Sequence, residues 1–368
     1  MGAILVISMA GAMVSPILPV YVVESLGASL RAVGFVVAAP LVGLIAVQPI
    51  AGQLADHYGR RLPVLVGAGV MSLATLGYAF IPSLIGVVLL RVVAGAGSGL
   101  VIVATLAAVV DDAPGARRGE QVSLYTLAAN SGGVAGPLLG GALATWMSFS
   151  GAVAVSAVIT AFGGLPGRRI PRLAESARET ARFRVSTRGL AHSAAAVPGG
   201  VLAICFAGAA AVYTLLPLFL VQLDSTGAGV ALTTFALFII AVRSLGRRLP
   251  DRIGHARCAM ISLMLVGAGL VMMSIANSLA AVLIATAVIG VGHGFAYPSL
   301  AAAVTLRCSP HERAKALGTF TALTTAGLAA WSIALGMGAS ALGFRPVFAL
   351  AGAAMALGVP LVLKLRRA

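Results

Sequence analysis

The sequence predicts an all-α polytopic membrane protein with twelve transmembrane helices in two pseudo-symmetric six-helix bundles. Of its 368 residues, 60% are apolar and 10% are charged, and the mean hydropathy is +1.04. Soluble domains are usually about half apolar and about a quarter charged. The apolar runs are continuous and long enough to cross a hydrocarbon layer of about 30 Å, which indicates helices and not a β-barrel.

Twelve predicted spans follow one another along the chain, separated by turns and charged loops. They cover residues 3–24, 31–54, 62–80, 83–109, 120–144, 147–165, 198–221, 228–246, 257–276, 279–304, 314–338 and 343–364. The N-terminal stretch "MGAILVISMAGAMV" has no basic region before its apolar run, so it predicts a first transmembrane helix and not a cleaved signal peptide. Its abrupt start leads us to expect a short cytoplasmic head before this chain.

Arginine and lysine residues crowd every second loop and thereby predict the orientation. These residues are Arg60, Arg61, Arg117, Arg118, Arg247, Arg248, Arg252, Arg257, Arg307, Arg313, Lys315, Lys364, Arg366 and Arg367. The opposite loops carry little beyond Arg31 and Arg345. Since positively charged loops stay on the cytoplasmic side, we expect both termini in the cytoplasm and a multi-pass protein of the cell (inner) membrane.

The longest break in hydropathy divides the chain into two sets of six spans. Residues 1–165 form the predicted N-terminal bundle, residues 166–197 a cytoplasmic linker and residues 198–368 the C-terminal bundle. The linker carries seven arginines, at positions 168, 169, 172, 178, 182, 184 and 188. They predict a solvated segment that meets anionic lipid head groups, and a site for a regulatory partner is the alternative.

The two halves repeat one another. "SPILPVYVVESLGAS" in the first span is similar to "YTLLPLFLVQLDSTGAG" in the seventh, which aligns Pro19 with Pro217. "LADHYG" matches "LPDRIG" and aligns Asp56 with Asp251 at an offset of 195 residues, and "GAGSG" matches "GVGHG" at the same offset. A duplicated six-helix unit with parallel halves is typical of transporters whose halves rock around a substrate.

Composition and spacing argue against several other classes of protein. The net charge of +15 comes from short basic clusters between apolar runs and not from one soluble basic face, so we expect no nucleic-acid partner. The five histidines are scattered without a catalytic or metal-binding spacing, so we expect no enzyme, no metal and no cofactor. The three cysteines show neither metal nor disulfide spacing.

The stretch "GQLADHYGRR" joins the second and third spans and concentrates charge in an otherwise apolar chain. Gly52 and Gly59 are expected to permit close approach and a tight reversal of the chain. Asp56 can accept hydrogen bonds and can favour the positive end of a neighbouring helix. A loop that only anchors topology needs no acid, and the second half repeats this acid as Asp251.

The two arginines of this stretch have carboxylates within reach of their predicted position. Arg60 and Arg61 can pair with Asp111 and Asp112, which end the fourth span. Such pairs would make the loop a latch between moving helices. The alternative is a charged topology anchor with no role in motion.

Small residues and a proline mark the fifth span. The stretch "GVAGPLLGG" includes Gly136, which removes a side chain, and Pro137, which removes a backbone donor. A role in gating and a simple small-residue packing face both agree with this pattern.

Three motifs resemble those of the major facilitator superfamily. "GQLADHYGRR" is similar to its loop signature, and "RVVAGAGSG", which begins at Arg91, is similar to its span-four motif. "GGVAGPLLGG" resembles the span-five motif of its drug–proton antiporters. Two departures stand out: Ser123 occupies the position of the first glycine of the antiporter motif, and the second-half loop lacks the paired arginines.

The resemblance implies a secondary active transporter that works by alternating access and exports small apolar or amphipathic compounds by proton antiport. It also implies a cavity between spans one, four, seven and ten, for which the candidate lining residues are Tyr21, Arg91, Tyr213, Phe219, His293 and Tyr297. Such a wall suits apolar or weakly cationic ligands better than polyanions.

A sugar or metabolite permease and a non-transporting membrane sensor are the alternatives. We expect a monomer whose partners are the bilayer, a small-molecule substrate and protons.

Two candidate residues are polar or charged and lie inside predicted spans. Arg91 lies about eight residues into the fourth span, about 12 Å deep, where a charge usually marks function. Arginine keeps its proton, so Arg91 could bind substrate or tune a neighbour, or it could simply be satisfied by backbone carbonyls. His293 in the tenth span could relay protons, or it could be a packing residue.

No obvious proton carrier is present in the sequence. All ten acids lie in predicted loops or near membrane edges: Glu24, Asp56, Asp111, Asp112, Glu120, Glu175, Glu179, Asp224, Asp251 and Glu312. Coupling would therefore involve Glu24, Glu120 or His293, or no proton would be transported.

Overall fold

We describe a computed structural model of the chain that covers residues 1–111, 118–170, 192–246, 249–309 and 312–367. Within these residues the secondary structure is helical and contains no strand. The helices follow the predicted spans in order, so the all-α polytopic fold class is confirmed.

The helices of the first half are Gly2–Met13, Leu18–Glu24, Leu30–Tyr58, Arg61–Gly77, Leu84–Asp111, Arg118–Trp146 and Phe149–Gly164. Those of the second half are Ala196–Thr214, Leu216–Gln222, Ala228–Leu245, Leu249–Ile253, His255–Ile275, Leu279–Thr305, Arg313–Leu342, Phe344–Ala354 and Val359–Arg367. Short 3-10 turns extend three of them, at Leu165–Arg169, Ser193–Ala195 and Met355–Gly358.

Ten segments of the described chain are long and apolar enough to cross a membrane. They correspond to every predicted span except the third and the fifth. The third is an apolar helix of 17 residues, Arg61–Gly77, and the fifth is a helix of 29 residues, Arg118–Trp146, whose first half is polar. Both helices lie where the sequence predicts spans.

The first and seventh spans are each broken at the same place. A helix of seven residues ends both spans, Leu18–Glu24 in the first and Leu216–Gln222 in the seventh. Pro19 and Pro217 each occupy the second position of that helix, where the missing backbone N–H would have no partner in any case. The internal repeat read from the sequence therefore corresponds to a repeated local structure.

The chain divides into two compact units. Unit 1 comprises Met1–Ala28 and Ala39–Ser186, and unit 2 comprises Ser29–Ala38 and Thr187–Ala368. The start of the second span thus packs within unit 2. A Cβ built on Gly34 would collide with the backbone at Ser332 of the eleventh span.

Glycines bring the second and fourth spans of unit 1 into backbone contact. A Cβ built on Gly43 would collide with the carbonyl oxygen of Val92, and one on Gly95 with the backbone of Pro40. Helices in a membrane gain little from the hydrophobic effect between them, so such close packing is a principal source of their association.

Glycines also bring helices of unit 2 into backbone contact. A Cβ on Gly290 of the tenth span would lie 2.7 Å from the carbonyl oxygen of Phe235 in the eighth span. One on Gly269 of the ninth span would lie 2.9 Å from the carbonyl oxygen of Ala285. The tenth span is therefore held tightly between the eighth and the ninth.

The predicted linker is described at its two ends only, because residues 171–191 lie outside the described range. Its C-terminal end is tied to the eleventh span, since the backbone N–H of His192 donates to Thr319 Oγ1 at 3.1 Å. His192 Nε2 also lies 3.7 Å from Glu312 Oε1. Hydrogen bonds from the hydroxyl and the backbone N–H of Ser309 are the main cause of a lowered pKa at Glu312.

Candidate functional site

The connection between the second and third spans forms an ion-pair network with the end of the fourth span. Arg60 donates from Nη1 to Asp56 and from Nε to Asp111 Oδ2, the latter at 3.0 Å. One guanidinium therefore holds two carboxylates from two different helices. The pairing of Arg60 with Asp111, expected from the sequence, is present in the structure.

Arg60 keeps its proton in this network. Partial burial lowers its pKa, but the hydrogen bonds and charges of Asp56 and Asp111 outweigh that effect and raise the pKa above its ordinary value. A raised pKa extends the charged range of a basic group to higher pH. Titration of Arg60 therefore leaves the network intact at physiological pH and would break it only in strong alkali.

The second arginine of the loop behaves differently. Arg61 is the first residue of the third span, and none of the ion pairs found among the described side chains includes it. Asp112, its other expected partner, lies outside the described residues. The ion-pair network seen in the structure thus involves Arg60, and a latch role for the loop stays a prediction.

The two glycines of the loop also differ. Gly59 has a φ of +80° and separates the helix that ends at Tyr58 from the one that begins at Arg61, so the predicted tight reversal is present. The expectation of close approach at Gly52 is wrong for this structure, because a Cβ built there meets no described atom within 4 Å. Gly254, equivalent to Gly59 in the repeat, has a φ of +90°.

The acid of the second-half loop lies in the short helix Leu249–Ile253. The side chain of Asp251 is outside the described part of the chain, as are residues 247–248. Its role in gating therefore stays a prediction.

The small-residue stretch of the fifth span packs against the first span. A Cβ built on Gly132, Gly136 or Gly140 would collide with the first-span backbone, in the case of Gly136 at Met9. Pro137 is buried inside the fifth helix, which continues through it. The packing role is thus visible in the structure, and a gating role for this stretch stays a prediction.

Unit 1 contains a cavity of about 300 Å³ between the first, second, third and fourth spans. Its wall is mostly apolar, and its polar lining residues are Ser8, Thr75, Tyr78, Arg91 and Ser98. Arg91 acts electrostatically on Tyr78, which is almost fully buried. An apolar cavity with a few convergent polar groups is a typical small-molecule site.

Tyr21 does not belong to this cavity. Its ring is stacked parallel on Phe149 at the start of the sixth span, with a centroid distance of 3.6 Å. Tyr21 is therefore not among the residues that line this cavity with Arg91, although the sequence grouped both as lining residues.

Unit 2 brings together three of the expected pathway residues, Tyr213, His293 and Tyr297. His293 is buried and meets Phe206 edge-on, with ring centroids 4.7 Å apart. Phe235 contacts both His293 and Tyr213, each with a centroid distance of 5.8 Å. The Nδ1 atom of His293 has no hydrogen-bond partner in the described part of the chain.

The sequence-based selection missed a fourth member of this cluster, Arg243 near the end of the eighth span. The guanidinium carbon of Arg243 lies 5.6 Å from the centroid of the Tyr297 ring. Arg243 also acts electrostatically on Tyr213 and His293. Arg91 was selected because it is an arginine inside a predicted span. The same criterion would have selected Arg243.

Phe219 lies apart from this cluster. Its ring is fully buried and packs against Phe344 and Phe348, with Arg345 5.6 Å from its centroid. The expectation that Phe219 lines a cavity is therefore not met among the described residues. It contributes to the packing of the seventh span on the twelfth.

Comparison with known proteins extends these observations. The family model of the Major Facilitator Superfamily matches residues 1–226 and 199–368. An uncharacterised MFS-type transporter of Salmonella typhimurium is 29% identical over 361 residues, which cover 94% of this chain and 90% of that protein. A multi-drug resistance efflux pump PmrA homologue of Lactococcus lactis is 32% identical over 157 residues, which cover 42% and 38% of the two chains.

Solved structures show the same fold. The structure of a bacterial homologue of the human lysosomal transporter Spinster aligns with a TM-score of 0.83 and covers 99% of this chain and 95% of that one. At 13% identity this likeness is one of fold. Since the family model spans the chain and the helical fold agrees, the protein belongs to the major facilitator superfamily.

Proposed function

We propose that this membrane transporter exports small apolar or amphipathic compounds by alternating access and that proton entry drives the export. The cavity of unit 1 carries the proposal, because its wall is mostly apolar and its only charged lining residue among those described is Arg91. In the described part of the chain, the wall carries no carboxylate or amide side chain, the groups with which a sugar site holds several hydroxyls at once, and this favours an apolar body over a sugar. The partial similarity to a drug efflux pump supports export.

Proton coupling has few candidate carriers. Glu24 ends the second helix of the first span, and Glu120 lies exposed in the first turn of the fifth span. His293 is buried between aromatic rings in unit 2. We propose that one of these three side chains carries the proton; His293 alone lies inside a span, and the positive charge of Arg243 opposes a second positive charge there.

The ion pairs of Arg60 would stabilise one conformation of the transport cycle. They connect the second and fourth spans of unit 1 through side chains that are partly open to solvent. Exposed ion pairs contribute about 0.2–1 kcal/mol each, which suits a latch that must open repeatedly. We further propose a monomer in the cell (inner) membrane with both termini in the cytoplasm.

Uptake into inverted membrane vesicles tests this function. A panel of lipophilic fluorescent compounds would be offered with and without a protonophore, to the wild type and to Arg91→Ala, His293→Ala and Arg31→Gln variants. Arg31 is exposed and lies outside the proposed machinery, so its variant controls for charge loss. We expect uptake that collapses with the proton gradient and falls in the first two variants.

Other outcomes would overturn parts of the proposal. Uptake that ignores the gradient would indicate a facilitator or another coupling ion. Failure of every panel member, with accumulation of a sugar or metabolite instead, would indicate a permease. Ligand binding without any flux would indicate a sensor.

A further inference from the structure

Arg243 is a positive charge inside unit 2 without a described counter-charge. It lies in the last turn of the eighth span, and its Nε is shielded from solvent without a hydrogen-bond partner in the described residues. None of the ion pairs found among the described side chains includes it. Arginine keeps its proton in proteins, so a guanidinium whose Nε is shielded and has no hydrogen-bond partner among the described residues is costly and favours a nearby anion.

The surroundings of Arg243 supply rings and hydrogen-bond donors. The Tyr297 ring lies beside the guanidinium, and Phe320 contacts that ring with a centroid distance of 5.6 Å. His293 is buried, Tyr213 is half-buried and Tyr297 is 37% exposed. The cluster thus has a buried base at His293 and an exposed side at Tyr297, and Arg243 itself is partly exposed.

We propose that Arg243 binds the carboxylate or another acidic oxygen group of amphipathic transported compounds, whose apolar body lies against the aromatic rings of this cluster. This inference rests on the proposed transport function. A guanidinium pairs with a carboxylate through two parallel hydrogen bonds, which gives both affinity and orientation. An organic cation would be repelled by Arg243. It would also lose its hydration shell without gaining an acidic partner among the described residues.

The distribution of acids in the chain agrees with this selectivity. Glu24, Asp111, Glu120 and Glu312 lie in the first or last turns of helices or at their caps. The cavity of unit 1 likewise presents Arg91 and no acid. Under this proposal an acidic amphipathic substrate is favoured over a weakly cationic one.

A purely structural role for Arg243 makes a different prediction. Positive charge is favourable in the last turn of any helix, where the carbonyl groups point outward. That role needs only a charge, so a lysine would fill it. Recognition of a carboxylate by two parallel hydrogen bonds needs the planar guanidinium, so replacement by lysine separates the two explanations.

Binding to the purified full-length protein in phosphatidylcholine nanodiscs provides the test. Three fluorescent probes would share one naphthyl-alkyl body and end in a carboxylate, a carboxamide or a trimethylammonium group. We expect the carboxylate probe to bind at least about tenfold more tightly than the carboxamide. Arg243→Gln should abolish that preference, Arg243→Lys should reduce it, and Tyr297→Ala should weaken all three probes similarly.

Two results would overturn the proposal. One is a carboxylate preference that survives in Arg243→Gln, and the other is wild-type protein that binds the trimethylammonium probe as tightly as the carboxylate. The thermal unfolding midpoint of each variant would be measured first. If Arg243→Gln does not fold, the comparison of Arg243→Lys with the wild type still decides, because an unchanged preference in the lysine variant contradicts carboxylate recognition through the two parallel hydrogen bonds of a guanidinium.

The source of the acidic group is resolved by a lipid titration. Phosphatidylglycerol would be added to the nanodiscs in increasing fractions. A carboxylate probe that stays bound supports a substrate, whereas displacement by the lipid would overturn the substrate assignment in favour of an anionic lipid head group. These binding measurements do not depend on transport. If the carboxylate preference is found but vesicle uptake fails, the transport proposal is contradicted and the binding proposal is not.

Discussion

Arg60 Nε lies 3.0 Å from Asp111 Oδ2, although the two residues are separated by 51 positions in the chain. The contact connects a turn between two helices with the end of a third. Asp56 shares the same guanidinium. A single side chain thus bridges the ends of the second and fourth spans.

We expect Arg60→Gln and Asp111→Asn each to lower transport, and the double variant to be no worse than the poorer single variant. The reason is that both changes remove the same ion pair, so their effects are not additive. The coupling free energy should be about 0.2–1 kcal/mol, because the pair is partly exposed. Initial uptake rates in inverted vesicles provide the measurement, and losses that simply add would contradict the shared latch.

Asp56→Asn should also lower transport while the protein still inserts into the membrane. The amide removes the negative charge that Arg60 neutralises and leaves the helix backbone unchanged. Asp224→Asn is a matched control, since Asp224 is exposed and has a φ of +52°, a conformation that asparagine also accepts. Unchanged uptake in Asp56→Asn, at equal amounts of membrane-inserted protein, would rule out the latch role.

Two glycines of the fifth span should respond oppositely to alanine. Gly140→Ala should lower stability by at least about 1–3 kcal/mol, because the new Cβ would collide with the backbone of Met13. Gly133→Ala should be neutral or stabilise by up to about 1 kcal/mol, because its Cβ meets no described atom within 4 Å and alanine favours a helix. Thermal unfolding in detergent compares the two variants, and equal midpoints would contradict the packing described for this span.

Ser156→Ala should weaken the packing of the sixth span on the first. The buried Ser156 hydroxyl donates to the carbonyl oxygen of Ala10 at 2.8 Å, and such bonds between membrane helices contribute about 0.6–1.7 kcal/mol. The exposed Ser244 supplies the control substitution. Urea or detergent titration of both variants would show the difference, and identical stabilities would mean that the interhelical bond contributes nothing net.

Much of the fold can be predicted from the sequence because its signals are local. Lipid offers no hydrogen-bond partner, so a long apolar run must be a helix whatever surrounds it. The break before Pro19 and the reversal at Gly59 are likewise set by the covalent properties of these residues. The repeat was visible because both features recur in the second half, at Pro217 and Gly254.

The candidate site was predictable only in part. Arg60, Asp56 and Asp111 were expected together, because a loop and a helix end on the same side of a membrane can meet. Phe219 was assigned to the cavity and is instead enclosed by packing contacts, whereas Arg243 was overlooked. A span that is apolar all round carries no stripe to show which face meets a neighbour, so sequence alone could not assign these two side chains.

The sequence by itself determined that this protein is an all-α membrane protein, that its two halves repeat one another and that its charged loop joins the second and third spans. Each of these follows from the chemistry of neighbouring residues and from the cost of unpaired backbone groups in lipid. Only the tertiary structure decided that Gly140 contacts another helix, whereas a Cβ on Gly133 meets no atom of the described chain, and that Arg243 lies beside Tyr297. Such contacts depend on the rotation of each helix about its axis, which is set by packing against segments far away in the chain.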